Sequence, residues 1–440
     1  MLRARRSTAA FFALVSLGGA AIAPNAAAQS AKHPMTIDDM MALKSVGSVA
    51  ISPNGALVVY TQSEWGHPSA NPAKGDTALG DKHEVRSHLW LVPTDGSRPP
   101  RQLTFSERGE SQPQWSPDGS AIAFISARGA ATGDEQPRPE IHILRLEGGE
   151  AEKITNAKDG VTGFSWSPDG KRIAFLSVDT LPKTTDAARK RRDDPQVYEG
   201  DFRLSHVWVV DVATKKESEL VHTTEFTVRG APDWSPDGRR IAYVTTPSTL
   251  LRDERRNAFI VDATTGAAER IDGGADVQST PQWSPDGRTL ALTTLRQTHA
   301  MVPDSMPFRE ILNSHLVLYD VAAKRARDVS AGFDNSPGNP TWTPDGRSLY
   351  FTAGDRVYSS AFRFDVATGK YTQLTQKQII RGLSFDKSGA HAAMVIDSPM
   401  SASDVFTSDA SFASPRRLTT ANPQLASLAL GETEVVTWKS

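Results

Sequence analysis

A five-residue motif, Trp-Ser-Pro-Asp-Gly, recurs along this chain and constrains its fold more strongly than any other feature. Counting one variant with Thr in place of Ser and two degenerate copies at the ends, the motif closes at Gly55, Gly119, Gly170, Gly238, Gly287, Gly346 and Gly389. Pro presets the second position of a type I turn, Asp suits the third, and Gly takes the left-handed position that closes a bulged hairpin. Each copy therefore predicts the tip of a β-hairpin.

A second hairpin pattern follows each turn motif, with examples at residues 206–220, 258–271, 315–329 and 362–375. Two hairpins per repeat give four antiparallel strands, and the motif glycines recur at intervals of 43 to 68 residues. We therefore predict an all-β fold, a seven-bladed β-propeller of four-stranded antiparallel blades at residues 44–420. A large β-sandwich or a β-helix is the alternative, which the fixed two-hairpin unit disfavours. We expect each repeated Trp to pack between blades and each repeated Asp to be a turn residue.

The N-terminus has the three parts of a secretory signal peptide. Three arginines lie within residues 3–6, residues 9–23 are apolar, and a run of small residues ends at Ala28. We therefore predict a signal peptide at residues 1–28, cleaved after Ala28, and a secreted or periplasmic protein. A short helical lead-in at residues 29–43, with Thr36 as its N-cap, is expected to follow.

Composition excludes several classes of function. The 440-residue chain contains no cysteine, which rules out disulfides, thiolate ligands and a cysteine nucleophile. A net charge of −2 gives no electrostatic reason to expect a nucleic acid partner. After cleavage of the signal peptide, no apolar run is long enough to span a bilayer, so no membrane span is expected.

No motif for catalysis, for a cofactor or for a metal ion is apparent. The chain has no G-x-S-x-G nucleophile elbow, and His83, Glu84 and His88 lack the spacing of a zincin. His88, His206 and His315 each open the third strand of a repeat, which indicates partnered structural histidines. We therefore expect no catalytic residue, no cofactor and no metal site.

Insertions between the second and third strands of three blades mark the side of the molecule where binding is expected. They cover approximately residues 66–86, 179–204 and 296–313. Such insertions emerge on one face of a propeller, which often binds partners or substrates. Within the second of them, Tyr198, Glu199 and Arg203 could hold the charged ends of a peptide. An ordinary long loop is the alternative interpretation.

Three segments, residues 35–61, 189–212 and 422–440, can be compared with known families together with the turn motifs. They resemble the N-terminal half of the prolyl oligopeptidase family of serine peptidases, with the closest similarity to its dipeptidyl-peptidase and acylaminoacyl-peptidase branch. The resemblance implies a propeller that limits access to an α/β-hydrolase domain carrying Ser, Asp and His. It also implies that residues 421–440 are a linker and the first strand of that domain, whose catalytic part is missing here. Some members of the family hold the substrate's amino group with acidic propeller residues, for which Glu199 is the candidate.

Two functions therefore stay open. In the first, the chain is the non-catalytic, substrate-gating propeller of a secreted peptidase, inactive by itself, and meets short peptides through a missing or separate hydrolase domain. In the second, it is a stand-alone periplasmic binding or scaffold propeller that resembles the Tol-Pal propeller protein.

Overall fold

The computed structural model of the protein describes residues 32–66, 84–129, 137–180, 191, 203–247, 256–272, 276–295, 314–398, 401–436 and 438. A single short helix, α1 (Ile37–Met41), precedes the first strand of these segments. Thr36 caps the helix as expected: its hydroxyl oxygen accepts from the Asp39 N–H at 3.1 Å, and the Asp39 carboxylate accepts from the Thr36 N–H at 2.8 Å. In the described part of the chain, no helix is both long enough and apolar enough to cross a membrane.

The fold is all-β, and strands that follow one another in sequence pair with one another in antiparallel sheets. Four sheets have four strands each. The first contains β1 (Ser45–Ile51), β2 (Leu57–Gly66), β3 (Glu84–Pro93) and β4 (Arg101–Gln102). The second contains β5 (Glu110–Trp115), β6 (Ala121–Ser126), β7 (Glu140–Arg145) and β8 (Glu152–Lys153). The third contains β9 (Val161–Trp166), β10 (Arg172–Val178), β11 (Ser205–Asp211) and β12 (Glu217–Val221). The fourth contains β13 (Thr227–Trp234), β14 (Arg240–Thr246), β15 (Asn257–Asp262) and β16 (Ala268–Arg270).

Two further sheets depart slightly from this pattern. In the fifth sheet the first strand is split, so that β17 (Asp276–Val277) and β18 (Gln282–Trp283) both pair with β19 (Thr289–Leu295), followed by β20 (Ser314–Asp320) and β21 (Arg325–Asp328). The sixth sheet has eight strands. It begins with β22 (Thr341–Trp342), β23 (Ser348–Asp355), β24 (Tyr358–Asp365) and β25 (Tyr371–Gln373). It continues with β26 (Ile379–Phe385), β27 (His391–Ser398), β28 (Ser401–Asp409) and β29 (Arg416–Arg417). One parallel pair, Ser359 with Ile379, joins its two antiparallel halves.

The repeated motif forms the predicted hairpin tips. In the second sheet, the Gly119 N–H donates to the Ser116 carbonyl at 2.9 Å, and Gly119 has a φ of 75°. Asp118 accepts from the Ser116 hydroxyl at 2.6 Å and from the Ser120 N–H at 3.0 Å. The repeated Asp is thus a turn residue, as predicted from the sequence.

Hydrophobic clusters lie between sheets that follow one another along the chain. One cluster joins Ile141 and Phe175 of the second and third sheets, and another joins Trp283 to Ile260 of the fourth sheet. A further cluster joins the first sheet to the end of the last, through Tyr60 and Val395. Second strands such as β6 are buried along their whole length because both of their faces are covered by neighbouring sheets.

The repeated tryptophans pack between sheets, as the sequence predicts. Three of the five indole N–H groups donate to backbone carbonyls of the preceding repeat: Trp115 to Ala50 at 2.9 Å, Trp234 to Ser165 at 3.3 Å and Trp342 to Gln282 at 2.9 Å. Those of Trp166 and Trp283 have no hydrogen-bond partner among the described residues.

Antiparallel pairing places the connections of each repeat at two opposite edges. The turn motifs lie at one edge, here called the turn side, where Pro53 packs against Gly119 of the next turn and accepts from the Lys387 N–H at 3.0 Å. Connections between second and third strands, and from each fourth strand to the next repeat, lie at the opposite edge, here called the loop side. The segment before β1 meets the segment beyond β29 at the loop side, where the Lys44 N–H donates to Oδ1 of Asn422 at 2.8 Å and His33 pairs with Leu428.

A second repeated contact lies at the loop side of most repeats. The hydroxyl of a Thr or Ser after the fourth strand accepts a hydrogen bond from a third-strand N–H. The pairs are Leu89 with Thr104, Ile141 with Thr155, Leu316 with Ser330, Ala361 with Thr375 and Val405 with Thr419. In the third sheet, Val221 lies opposite Val207 and has no hydroxyl to accept from its N–H. The polar contacts next to this pair involve His206 instead.

Candidate functional site

Arg203, one of the residues predicted to bind substrate, lies at the loop side in an ion-pair cluster. Its Nη1 is 3.1 Å from Oδ1 of Asp159, and Nη1 of Arg138 is 2.9 Å from the same oxygen. The Asp159 side chain is 1% exposed, whereas both arginines are partly exposed. Neither carboxylate oxygen has a regular hydrogen bond, so the contact is one of charge. Arg203 thus neutralises a buried carboxylate that links the second and third sheets.

Asp179 fixes the two ends of the predicted insertion to each other. Its N–H donates to the Leu204 carbonyl at 2.9 Å, and its Oδ2 accepts from the Leu204 N–H at 3.2 Å. The guanidinium of Arg203 also donates to the Asp179 carbonyl, at 3.4 Å. Oδ1 of Asp179 lies 2.8 Å from Nε2 of His206 on β11. The base of this connection is therefore held by paired charges and backbone bonds.

His206 is the centre of a second polar group on the third sheet. It is 3% exposed, and its Nδ1 lies 3.8 Å from Oε1 of Glu219. The same oxygen is 2.9 Å from Nδ1 of His222, and the two imidazole rings have centroids 4.8 Å apart with planes 9° apart. The Thr223 N–H donates to His206 Nδ1 at 3.3 Å.

A third group surrounds Glu110, whose side chain is fully buried. Oε2 of Glu110 accepts from the Thr104 hydroxyl at 2.6 Å and lies 3.1 Å from Nδ1 of His88, while Arg128 donates to Oε1 at 2.8 Å. Burial opposes ionisation of this carboxyl, but these hydrogen bonds outweigh it and hold its pKa below the usual value. Glu110 is thus a buried anion that fastens the first sheet to the second.

The three repeated histidines are partnered, as the sequence indicates. His88 pairs with Glu110, His206 with Asp179, and His315 has its Nδ1 2.7 Å from Oδ2 of Asp328.

The loop side also carries exposed apolar side chains. Seven of the ten large hydrophobic side chains that are exposed in the described segments belong to connections or flanks at this edge: Met35, Ile37, Met40, Trp65, Val85, Phe105 and Val357. The other three, Val435, Val436 and Trp438, lie in the tail beyond β29. Phe105 is 75% exposed beside the Glu110 group, and Val357 is 60% exposed in a second-to-third strand turn. Exposed apolar groups of this size beside charged groups are typical of a surface that meets another protein or domain.

The turn side contains a cavity of about 370 Å³ between the second and third sheets, with Lys387 at its edge. The carboxylates that line it, Asp118 and Asp169, already accept hydrogen bonds from their own turns. Because its acidic groups are used by the fold, this cavity is the weaker candidate for a site.

The predicted substrate-binding residues have different outcomes. Tyr198 and Glu199 lie outside the described residues. Arg203 is described, and its guanidinium is engaged by Asp159, while contact with a substrate stays a prediction. Arg138 and Asp159 were not predicted from the sequence, because an ion pair between repeats leaves no short motif. The sequence offered one further sign of the group around His206, the E-x-x-H spacing of Glu219 and His222.

Comparison with known proteins points to peptidases. No protein-family model matches the chain. It is 26% identical to dipeptidyl-peptidase 5 of Porphyromonas gingivalis over 387 residues, which cover 82% of this chain and 52% of that protein. It is 27% identical to the uncharacterized peptidase YuxL of Bacillus subtilis over 230 residues, 48% of this chain and 31% of that one. The chain thus spans about half of the first relative and about a third of the second.

A shorter match and two solved structures complete the comparison. The Tol-Pal system protein TolB of Alcanivorax borkumensis is 34% identical over 112 residues, 25% of this chain and 24% of that protein. A puromycin-hydrolyzing peptidase of Mycobacterium tuberculosis superposes with a TM-score of 0.63 at 12% identity, covering 90% of this chain and 57% of that one. The β-propeller domain of the Trilobed protease from Pyrococcus furiosus superposes with a TM-score of 0.58 at 15% identity, covering 86% and 99%.

The two structures support the fold, and the sequence matches support the relationship to peptidases. The chain is thus similar in sequence to bacterial peptidases, and in fold to solved structures that include the propeller domain of a protease, an acylaminoacyl peptidase and a prolyl endopeptidase.

Proposed function

We propose that this chain is the substrate-gating propeller of a secreted serine peptidase that acts on short peptides, and that it is inactive by itself. The observation that carries the proposal is the match to dipeptidyl-peptidase 5, which runs through 82% of this chain but only 52% of the relative. The remainder of such a relative provides room for an α/β-hydrolase domain. The absence of a G-x-S-x-G elbow from the present sequence agrees with a non-catalytic role.

The proposal includes a closed ring of seven four-stranded blades, with the eight-stranded sheet counted as two of them. Two observations support it. The hydrophobic clusters join consecutive repeats, and one of them joins the first to the last. The last turn also bonds to the first, through Lys387 and Pro53. In the proposed ring, packing and hydrogen bonds rather than an exchanged strand would join the last sheet to the first, since the two share no strand in the described chain.

The loop side is the face that would meet the hydrolase domain. Most of the exposed apolar side chains lie there, and so do the segments on both flanks of the propeller, so a domain linked to either flank would pack against Phe105 and Val357. The charged groups around Glu110, Asp159 and His206 would then line the space between the two domains. A peptide with charged ends entering this space would meet both acidic and basic groups.

Export is also part of the proposal. The predicted signal peptide at residues 1–28 precedes the described residues, and the lack of cysteine suits a periplasmic protein held together by packing alone. The oligomeric state has no bearing on this proposal.

Activity of the natural protein tests the proposed function. We expect the protein recovered from the exported fraction of its source cells to have a mass well above the 47.6 kDa of this chain and to cleave dipeptidyl arylamides. The purified chain of residues 29–440 is expected to cleave neither dipeptidyl nor acyl-aminoacyl arylamides and to remain unlabelled by a fluorophosphonate. Turnover by the purified chain that titrates with the fluorophosphonate would refute its non-catalytic role.

A stand-alone binding propeller is the second candidate, favoured by the match to TolB over a quarter of the chain. The same recovery experiment separates the two. A natural protein slightly lighter than 47.6 kDa, without peptidase activity, would favour the binding propeller and overturn the first proposal.

A further inference from the structure

We propose that His206, Glu219 and His222 form a binding site for a divalent transition-metal ion, with Zn²⁺ as the best fit, at the loop side of the third sheet. The proposal goes beyond the gating role and does not depend on it. No metal site was predicted from the sequence, because His206 is separated along the chain from Glu219 and His222. The site emerges only from the pairing of β11 with β12.

The three side chains lie close together at the loop side. Glu219 Oε1 is 2.9 Å from His222 Nδ1 and 3.8 Å from His206 Nδ1, and each of the three residues has a ligand atom within 4.8 Å of those of the other two. Atoms bound tetrahedrally to Zn²⁺ at about 2.0–2.1 Å are roughly 3.3 Å apart. The two separations from Glu219 bracket this value. Because an imidazole lone pair lies in the ring plane and the two rings are stacked with planes 9° apart, the exposed His222 ring would have to turn for both histidines to bind one ion.

Strand pairing holds the group together. His206 lies at the start of β11, Glu219 pairs with Trp208 from β12, and His222 follows directly after the end of β12. A register shift between the pairs of Val207 and Trp208 brings Glu219 toward the His206 ring. His206 is buried and fixed, whereas His222 is 63% exposed and free to adjust its rotamer.

Asp179 supplies the outer contact that metal-binding histidines usually have. Its Oδ1 lies 2.8 Å from Nε2 of His206. A proton on Nε2 leaves the lone pair on Nδ1, which is the atom that faces Glu219. A carboxylate behind a ligating imidazole fixes its tautomer and raises its basicity, and such partners contribute strongly to metal affinity.

Existing contacts of the group are weak enough for a metal ion to displace. The Thr223 N–H donates to His206 Nδ1 at the long distance of 3.3 Å, and a typical hydrogen bond contributes only about 1 kcal/mol net. His222 and Glu219 make a surface contact, which contributes little.

The ligand set indicates which ions would bind. Two imidazoles and one carboxylate suit Zn²⁺, Co²⁺ and Ni²⁺, whereas Mg²⁺ and Ca²⁺ prefer oxygen ligands alone. Because Asp179 also binds Leu204, an ion at this position would reinforce the base of the 179–204 connection. In the described part of the chain this is the only group of three such residues.

Zinc titration of the untagged chain tests the site. We expect isothermal calorimetry with ZnCl₂ at neutral pH to show one ion per chain, and Co²⁺ to give the visible absorption of a tetrahedral complex. His222→Ala is expected to weaken Zn²⁺ binding about 100-fold, and Asp179→Asn about 10–100-fold. The matched control is His391→Ala, since His391 is also exposed and pairs with one carboxylate, Asp386, without a second histidine nearby.

Thermal unfolding distinguishes the loss of the metal site from a loss of folding. Zn²⁺ should raise the melting temperature of the wild-type and His391→Ala chains but not that of His222→Ala, while all three should melt alike in a chelator. Absence of Zn²⁺ binding to the wild-type chain would overturn the proposal. Equal binding by the wild-type and His222→Ala chains would also overturn it, because the ion would then bind elsewhere.

Discussion

Replacing Trp234 by Ala is expected to lower the free energy of unfolding by about 3–5 kcal/mol, the usual cost of truncating a buried aromatic side chain. Trp234 is 5% exposed in the cluster between the third and fourth sheets. Its indole N–H donates to the Ser165 carbonyl, and the Arg172 guanidinium lies over its ring at 4.7 Å from the centroid. The substitution therefore removes packing, a hydrogen bond and a cation–π contact from one interface between sheets.

Urea unfolding followed by circular dichroism measures this effect. Trp65→Ala is the matched control, since Trp65 is 42% exposed and its loss should change stability by no more than about 0.5 kcal/mol. An unchanged midpoint for Trp234→Ala would contradict the role of the repeated tryptophans in joining the sheets.

Asp233→Asn is expected to stabilise the protein by about 2 kcal/mol at mildly alkaline pH, and hardly at all near pH 4. Burial of Asp233 beside Trp234 raises its pKa to about 7, although the Trp283 N–H donates to its Oδ2 at 2.9 Å. In the unfolded chain this carboxyl has its ordinary pKa of 3.8. Between about pH 4 and pH 7 the native state therefore carries a proton on Asp233 that the unfolded state has lost. Stability is therefore lost as pH rises from about 4 to about 7.

The size of the expected stability change follows from the difference between the folded and unfolded pKa values of Asp233. One pKa unit corresponds to about 1.4 kcal/mol, so the full interval would give about 4 kcal/mol. Asp233 retains partial solvent exposure, and screening reduces the expected effect to about half. Asn keeps an oxygen to accept from Trp283 but has no charge to desolvate.

The pH dependence of unfolding in urea provides the test, with Asp118→Asn for comparison. Hydrogen bonds from Ser116 and Ser120 hold the pKa of Asp118 below its ordinary value, so this substitution should destabilise the protein at neutral pH. If Asp233→Asn also destabilises the protein above pH 7, the buried carboxyl is not the source of the predicted pH dependence.

The group around His206 shows where prediction from the sequence ends. The recurrence of His88, His206 and His315 correctly indicated partnered histidines. The convergence of His206, Glu219 and His222 could not be predicted, because it depends on the pairing register of β11 with β12. A shift by one residue would turn Glu219 to the other face of the sheet.

The sequence by itself determined the elements that depend on neighbouring residues. Turn chemistry within five residues predicted the hairpin tips, the Thr36 cap predicted the first helix, and the repeated units predicted an all-β fold. Tertiary structure alone decided the contacts between repeats, such as those of Asp159 with Arg138 and Arg203, and the burial that raises the pKa of Asp233. The physical reason is the separation along the chain between the residues that interact. A turn is stabilised by bonds between residues two to five positions apart, whereas a charge cluster depends on how separate sheets pack, which no local pattern records.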